Sequence, residues 1–203
     1  MSEKKEQFGH DANEDKPTYS CTDTGNMERF VDQHKEHIRS LGSAKAWLIW
    51  DESRWKPSGY SEVFEYAMKT IYSISDEVEN ANSIQEAQMI QKWAVTSQSE
   101  SKTRAMLNMA ANHPELLTSA STFDKDKMKL NCLNGVVDLN TGKLLERDPN
   151  DLHTKLVNVK FEPDAKCPVF IKFLAQVTCY DHYLFEWLQR ALGYALTGSV
   201  QEQ

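Results

Sequence analysis

The spacing of the apolar residues changes partway along this chain, and this change constrains its fold class more than any other feature. Across residues 60–113 the apolar positions recur every three or four residues, which is typical of helices that bury one face. From Met128 onward they alternate with polar residues, and residues 134–147 have the pattern of a hairpin that turns at 140–142. The sequence therefore predicts an α+β fold.

The central helices are predicted from their capping residues. Residues 83–86 (Ser-Ile-Gln-Glu) and 97–100 (Ser-Gln-Ser-Glu) match the capping box, in which a serine and a glutamate satisfy free amides of the first turn. Together with the apolar stripe that begins at Tyr60, they predict three helices. The third should end at the His113-Pro114 step, because a residue before proline disfavours helical geometry.

Other elements flank these helices on both sides and carry their own capping, turn or strand signals. They are a helix from Asp23 or Thr24 to Gly42, a hairpin of residues 47–50 and 54–56, a strand at 155–161, a helix that begins at Cys167-Pro168, and a last helix from Asp181 to Leu196. The predicted order is an N-terminal helix and strands, central helices, an antiparallel hairpin and two C-terminal helices.

The last predicted helix is apolar around most of its circumference. Between Tyr183 and Ala195 only Glu186, Gln189 and Arg190 interrupt the apolar residues. A helix with this composition is either central in a core or lies between two bodies. Both alternatives remain open from the sequence.

The charge distribution narrows the candidate surfaces. A net charge of -7 argues against a protein that coats DNA or anionic membranes through its overall charge. Residues 92–172 nevertheless carry 12 basic and 10 acidic side chains, a local excess of +2. Either these basic side chains only keep the surface solvated, or some of them contact phosphates. The candidate DNA-binding side chains are Lys102, Arg104, Lys125, Lys127 and Lys129.

The N-terminal residues and the cysteines bear on domain organisation and compartment. Residues 1–20 are polar and lack periodicity, so we expect a disordered leader followed by one folded domain over 21–203. The apolar stretches are far shorter than the roughly 20 residues that span a bilayer, and the N-terminus is too polar for a signal peptide. The 4 cysteines are scattered, which favours reduced thiols. We therefore expect a cytoplasmic protein.

The sequence motifs predict no catalytic residue, cofactor or metal site in this chain. No glycine-rich phosphate loop and no nucleophile elbow occurs in the sequence. Asp124 and Asp126 have the spacing of carboxylates that hold divalent metals in nucleotidyl transfer. Three lysines are interleaved with them, which is more typical of a solvated loop. Whether the chain is an enzyme stays open.

Three blocks of sequence resemble one family. They are residues 22–31 (TDTGNMERFV) followed by 47–55 (WLIWDESRW), residues 131–142 (NCLNGVVDLNTG), and residues 185–198 (FEWLQRALGYALTG). The blocks and their order resemble the domain that precedes the superfamily 3 helicase core in phage, plasmid and poxvirus primase-helicases. The resemblance covers about residues 20–203.

The resemblance implies a place in DNA replication. In that family the last block is closely followed by a Walker A loop, so we expect the final helix to lead into an ATPase core that is absent from this chain. ATP and magnesium are expected for that core, and a hexamer for the full-length protein. The residues expected to dock against the core are Tyr183, Trp187 and Tyr194.

Three functional hypotheses follow. The first is a non-catalytic module of a mobile-element primase-helicase that aids DNA engagement and helicase assembly. The second is a remnant nucleotidyl transferase that uses Asp124 and Asp126. The third is a protein-interaction domain that recruits a replication factor.

Overall fold

A computed structural model describes residues 18–42 and 46–201 of the chain. In these residues the helices are α1 (Asp23–His34), α2 (Tyr60–Ser73), α3 (Ile84–Ser97), α4 (Glu100–Ala110), α5 (Pro168–Val177) and α6 (His182–Leu196). The strands are β1 (Ile38–Ser40), β2 (Trp47–Trp50), β3 (Trp55–Ser58), β4 (Lys129–Cys132), β5 (Gly135–Asp138) and β6 (Lys143–Leu145). They form two antiparallel three-stranded sheets, β1-β2-β3 and β4-β5-β6, so the predicted α+β class and element order are confirmed.

Helix α1 is shorter than the sequence predicts. It begins where expected, because the Thr22 hydroxyl accepts a hydrogen bond from the Gly25 amide at 3.1 Å. It ends at His34, so the predicted extension to Gly42 is wrong. Ile38, which fits the helical spacing, instead pairs with Ile49 in the first sheet. Pairing with the next strand, β2, therefore decides the conformation of this segment.

The first sheet contains the predicted tryptophan hairpin, which is confirmed. Strands β2 and β3 pair antiparallel with Trp50 opposite Trp55. Trp55 is fully buried, and its indole N–H donates to the Pro149 carbonyl at 2.8 Å. This bond joins the first sheet to the segment that follows the second sheet.

Three helices in the central region are confirmed. At the start of α3 the Ser83 hydroxyl accepts from the Glu86 amide at 3.1 Å, as the capping box predicts. Helix α4 instead starts after Ser99, because Ser97 is the last residue of α3 and its hydroxyl accepts from the buried Asn26 side chain at 3.0 Å. The main core lies among α1, α2, α4 and the first sheet, and its fully buried members are Phe30, Ile38, Val63, Ala67, Ile71, Met106, Ala110 and Leu116.

The second sheet contains the predicted β5–β6 hairpin. Its turn includes Gly142 at φ +67°, a backbone conformation that favours glycine. The strand expected at 155–161 is wrong, because that segment makes only an isolated bridge between Val157 and Cys132. Backbone and side-chain bonds both hold it there: the Val157 amide donates to the Asn131 carbonyl at 2.9 Å, and the Leu133 amide donates to the Val159 carbonyl at 3.0 Å. The Asn134 side chain donates to the Phe161 carbonyl at 2.9 Å, and its oxygen accepts from the Phe161 amide at 2.8 Å. Alternating composition does not reveal such bonds.

Helices α5 and α6 occur as predicted but bury none of their residues. Pro168 opens α5, and the Asp181 carboxylate caps α6 by accepting from the Tyr183 and Leu184 amides at 2.9 and 3.1 Å. Since no residue of α6 is buried, the alternative that placed this helix in the core is wrong. No helix in the described part of the chain combines the length and apolarity needed to cross a membrane.

The predicted leader falls mostly outside the described residues, which begin at Thr18. Within the described part, the Tyr19 hydroxyl donates to Asp32 at 3.0 Å. The Arg29 guanidinium lies 5.0 Å from the centre of the Tyr19 ring. Contacts with α1 therefore reach back to Tyr19.

Candidate nucleic-acid interface

The five candidate phosphate contacts lie on two elements. Lys102 and Arg104 belong to α4, and the others belong to residues 124–129, named here the loop 124–129, which comprises the loop before β4 and the first residue of that strand. On α4 both cations are already paired. The Lys102 ammonium lies 3.0 Å from Asp23 and 4.9 Å from the Trp93 ring, and Arg104 lies 2.6 Å from Glu100.

The loop 124–129 carries one paired and two unpaired lysines. The Lys129 ammonium lies 2.5 Å from the Asp151 carboxylate, and this hydrogen bond raises the pKa of Lys129. Lys125 and Lys127 are exposed and form no ion pair with any residue that the structure describes. Of the five candidates, these two are therefore the most available to a phosphate.

Asp124 and Asp126 hold the shape of this loop. Both oxygens of Asp124 accept hydrogen bonds from Thr154: one from its amide at 2.9 Å and the other from its hydroxyl. Asp126 accepts from the Met128 amide at 3.0 Å. Asp124 also sits at φ +50°, a conformation that its short polar side chain tolerates. Asp124 thus ties the loop to Thr154, 30 positions along the chain, and Asp126 acts locally on the loop backbone.

The nucleotidyl transferase hypothesis needs carboxylates that are free to bind two metal ions. The bonds to Thr154 and Met128 occupy three of the four oxygens of Asp124 and Asp126. Within 18–42 and 46–201, no group of three or more His, Cys, Asp or Glu side chains could hold a metal ion. No observation favours this hypothesis.

A cleft of about 250 Å³ opens between the loop 124–129, the segment that follows β6 and the turn after α6. Among the side chains and backbone that line it are Lys127, Lys129, Asn131, His153, Lys155 and Gly198. Sequence reasoning missed the contributions of Asn131, His153 and Lys155. These residues have no common motif or spacing, and only the fold brings them to Lys127.

His153 is the buried member of the cleft. Its side chain is 7% exposed, and its Nε2 atom has no hydrogen-bond partner in the structure as described. The nearest carboxylate oxygen belongs to Asp151, at 3.9 Å from Nε2. Burial lowers the pKa of His153, so the ring is neutral at pH 7.

The three predicted docking residues lie along α6. The exposed fractions of Tyr183, Trp187 and Tyr194 are 83%, 59% and 39%. Helix α5 adds further exposed apolar side chains, including Phe170 and Phe173. Large apolar side chains exposed along a helix are typical of an interaction site when they form a contiguous patch, and Tyr183 and Trp187, four residues apart, lie on one side of α6.

Comparison with known proteins bears on this combination of features. No curated protein matches the chain. The family model described as "D5 N terminal like" matches residues 27–179, which include the first sheet, the central helices, the second sheet and α5. The chain therefore belongs to the D5 N-terminal-like family, whose domain is found in phage, plasmid and poxvirus primase-helicase proteins.

Proposed function

We propose that this chain is a non-catalytic module of a mobile-element replication primase-helicase that engages DNA and supports assembly of the helicase. The observation that carries the proposal is the exposed apolar surface of α5 and α6, in a domain whose family occurs in primase-helicases. Removing apolar surface from water is a dominant favourable contribution to most protein–protein association. The proposed partner is the ATPase core of the parent helicase.

The geometry of α6 supports docking through its apolar positions. Its polar side chains interact with one another: Glu186 lies 3.2 Å from His182 and 4.0 Å from Arg190. Tyr183 and Trp187 are four residues apart and therefore lie on one side of the helix. Arg190 lies on the same side, three positions after Trp187 and four before Tyr194, so a partner that covers this side also covers Arg190 and its contact with Glu186.

Hydrogen exchange tests the docking. We expect the amides of residues 183–196 to exchange faster than those of the β5–β6 hairpin in the isolated chain, and to become protected when the ATPase module is added. Trp187→Ala should abolish that protection, whereas Tyr72→Ala should not. Tyr72 is a matched control because it is an aromatic residue on α2 with a similar exposed fraction, 58%.

The docking proposal is wrong if residues 183–196 are already as protected as the hairpin in the isolated chain and the ATPase module changes nothing. Equal losses of this added protection in the Trp187→Ala and Tyr72→Ala variants would also contradict it. The wild-type chain is measured at several concentrations, so that self-association through the same surface is separated from docking.

DNA engagement is assigned to the loop 124–129. We expect weak, sequence-tolerant binding that Lys125→Glu with Lys127→Glu weakens, because both ammonium groups are exposed and unpaired among the described residues. For a single strand, losing two phosphate contacts should flatten the slope of log K against log salt by about 1.4. Fluorescence anisotropy with a labelled oligonucleotide, repeated at four salt concentrations, measures the slope.

The matched control is Lys92→Glu with Lys143→Glu, which makes the same change in net charge at exposed positions outside the loop. The two double variants separate a local contact from an effect of overall charge. An unchanged slope in the loop variant, or equal changes in both variants, removes the loop from the DNA-binding surface.

A further inference from the structure

The cleft beside the loop 124–129 collects positive charge from distant parts of the chain. Lys127 and Lys129 come from the loop and the start of β4, and Lys155 comes from the segment after β6. Lys129 is paired with Asp151. The exposed Lys127 and Lys155 side chains form no ion pair with the residues described, so two ammonium groups at this cleft lack an anionic partner.

The acidic side chains at the cleft are largely engaged within the protein. Both oxygens of Asp124 accept from Thr154, and Asp151 binds Lys129. Asp126 uses one oxygen to accept from the Met128 amide. Its other oxygen forms no hydrogen bond within the described residues, so Asp126 is the carboxylate that competes with an incoming anion.

The backbone positions of the two unpaired lysines are held by hydrogen bonds. The buried Asn131 side chain donates to the Lys155 carbonyl at 3.0 Å and also to the Ser53 carbonyl at 2.8 Å. The Gly198 amide donates to the Lys127 carbonyl at 2.9 Å. Both lysines thus start from fixed backbone positions, which lowers the entropy lost when their side chains bind a ligand.

His153 supplies an independent sign of a ligand site. Its side chain is more than nine-tenths buried against the cleft, yet Nε2 has no hydrogen-bond partner among the described residues. Buried polar groups are nearly always hydrogen-bonded, and an exception needs an explanation such as a missing ligand or ion. The orphan nitrogen and the unpaired lysines occur at the same place.

We infer that this cleft binds a phosphate group between Lys127 and Lys155. Its volume of about 250 Å³ is below the roughly 300–1,000 Å³ of pockets that enclose drug-sized ligands, which favours a single phosphate over a whole nucleotide. The inference rests on the proposed function when the phosphate belongs to a DNA backbone. A free phosphate ion has the same chemistry and is distinguished by the experiment.

The phosphate site is continuous with the end of α6. Leu196, Thr197 and Gly198 line the cleft, and the Gly198 amide binds the loop that carries Lys127. A phosphate bound at Lys127 therefore lies beside the segment that leaves α6, and the Gly198 amide is a probe of its binding.

The test uses the full chain with three variants of exposed residues. Lys155→Gln removes a proposed contact, Asp126→Asn removes the competing carboxylate while keeping an oxygen for the Met128 amide, and Lys143→Gln is the control. Labelled single-stranded oligothymidine is the DNA probe, and inorganic phosphate is the free-ion probe. Fluorescence anisotropy gives the affinity for DNA and the slope of log K against log salt. Hydrogen exchange measures the protection of the Gly198 amide.

We expect Lys155→Gln to weaken oligothymidine binding about threefold, the range of an exposed ion pair, and Asp126→Asn to strengthen it by a similar factor. The salt slope should flatten by about 0.7 in Lys155→Gln and not in Lys143→Gln. The Gly198 amide should become more protected when oligothymidine is present. If inorganic phosphate alone gives that protection and oligothymidine does not, the phosphate site stands and its ligand is the free ion.

The phosphate site is overturned if Lys155→Gln and Asp126→Asn both behave like Lys143→Gln and neither probe protects Gly198. In that case, a loss of binding in the Lys125→Glu, Lys127→Glu variant still supports DNA engagement by the loop. If that variant also binds normally, DNA engagement by this region is itself contradicted. The two failures are therefore distinguishable.

Discussion

Glu77→Gln should destabilise the protein by about 3 kcal/mol, the largest effect expected from a single polar substitution here. Glu77 is the partner of Arg29, whose side chain is fully buried, with nitrogen–oxygen distances of 2.6 and 2.7 Å. Removing the carboxylate charge leaves a buried guanidinium without its counterion. The expected loss is at the low end of the range for buried pairs because the Glu77 side chain is 25% exposed.

Urea denaturation at pH 7 measures this loss, and Glu79→Gln is the control. Glu79 is an exposed neighbour, so its substitution should change the free energy of unfolding by no more than about 0.5 kcal/mol. Arg29→Met combined with Glu77→Leu should be less destabilising than Glu77→Gln alone, because no buried charge remains. If Glu77→Gln costs as little as Glu79→Gln, the pair does not stabilise the fold.

Acidification from pH 6.5 to pH 4 should cost about 3 kcal/mol of stability through His34 alone. Burial lowers the pKa of His34 to about 4. Its Nε2 atom lies 2.9 Å from the Thr70 hydroxyl, which donates its only proton to Gln33 at 2.8 Å. Nε2 must therefore be the donor to Thr70, and the neutral ring satisfies this arrangement.

The protein loses stability on acidification because the unfolded chain binds a proton at His34 more tightly than the folded chain does. Between the folded pKa of about 4 and the unfolded value of 6.5, the unfolded chain binds the extra proton, so stability falls as the pH falls and levels off below about pH 4. Burial also lowers the pKa of His153, which adds to the loss in the same direction. The lowered pKa values of Asp51 and Asp138 act below 3.8, their unperturbed value, and so outside this window.

His34→Gln isolates the His34 contribution. The variant loses packing against Phe30 and Tyr66, whose ring centres lie 4.9 and 5.1 Å from the imidazole, so its stability at pH 7 is lower. Between pH 6.5 and 4 its free energy of unfolding should fall less steeply with pH than that of the wild type. The difference in slope corresponds to at most one bound proton. The test is to measure the free energy of unfolding of both proteins across this pH range. Parallel curves would show that His34 does not cause the pH dependence.

The candidate site could be predicted only in part. Clustered lysines mark the loop 124–129 in the sequence, but Lys129 is paired with Asp151, 22 positions away along the chain. Likewise Lys102 is paired with Asp23 across 79 positions. Charge counts cannot show which cations are neutralised, because that depends on which acidic residues the fold brings near. Lys155 and His153 carry no local signal at all.

Local chemistry determined the elements whose signals lie within a few residues. The Ser83 and Asp181 caps, the tryptophan hairpin and the β5–β6 turn all follow from side chains that bond to neighbouring backbone or from strand-forming composition. Family membership likewise follows from ordered blocks of sequence: the matched range 27–179 includes residues 131–142 in full and residues 27–31 and 47–55 of the first block, while the third block lies beyond it. These features require no knowledge of distant contacts.

Tertiary structure decided what local patterns leave open. Ile38 fits helical spacing, but pairing with Ile49 places it in a strand. Residues 155–161 alternate like a strand, but within the described residues they meet β4 only at an isolated bridge, and the Asn131 and Asn134 side chains bond other backbone groups of the segment. The apolar composition of α6 is equally suited to a core or an interface, and only the absence of buried residues along it selects the exposed arrangement. For Ile38 and residues 155–161 the deciding partners lie 11 or more positions away, and for α6 it is the lack of a covering partner among the described residues that decides; local spacing specifies neither.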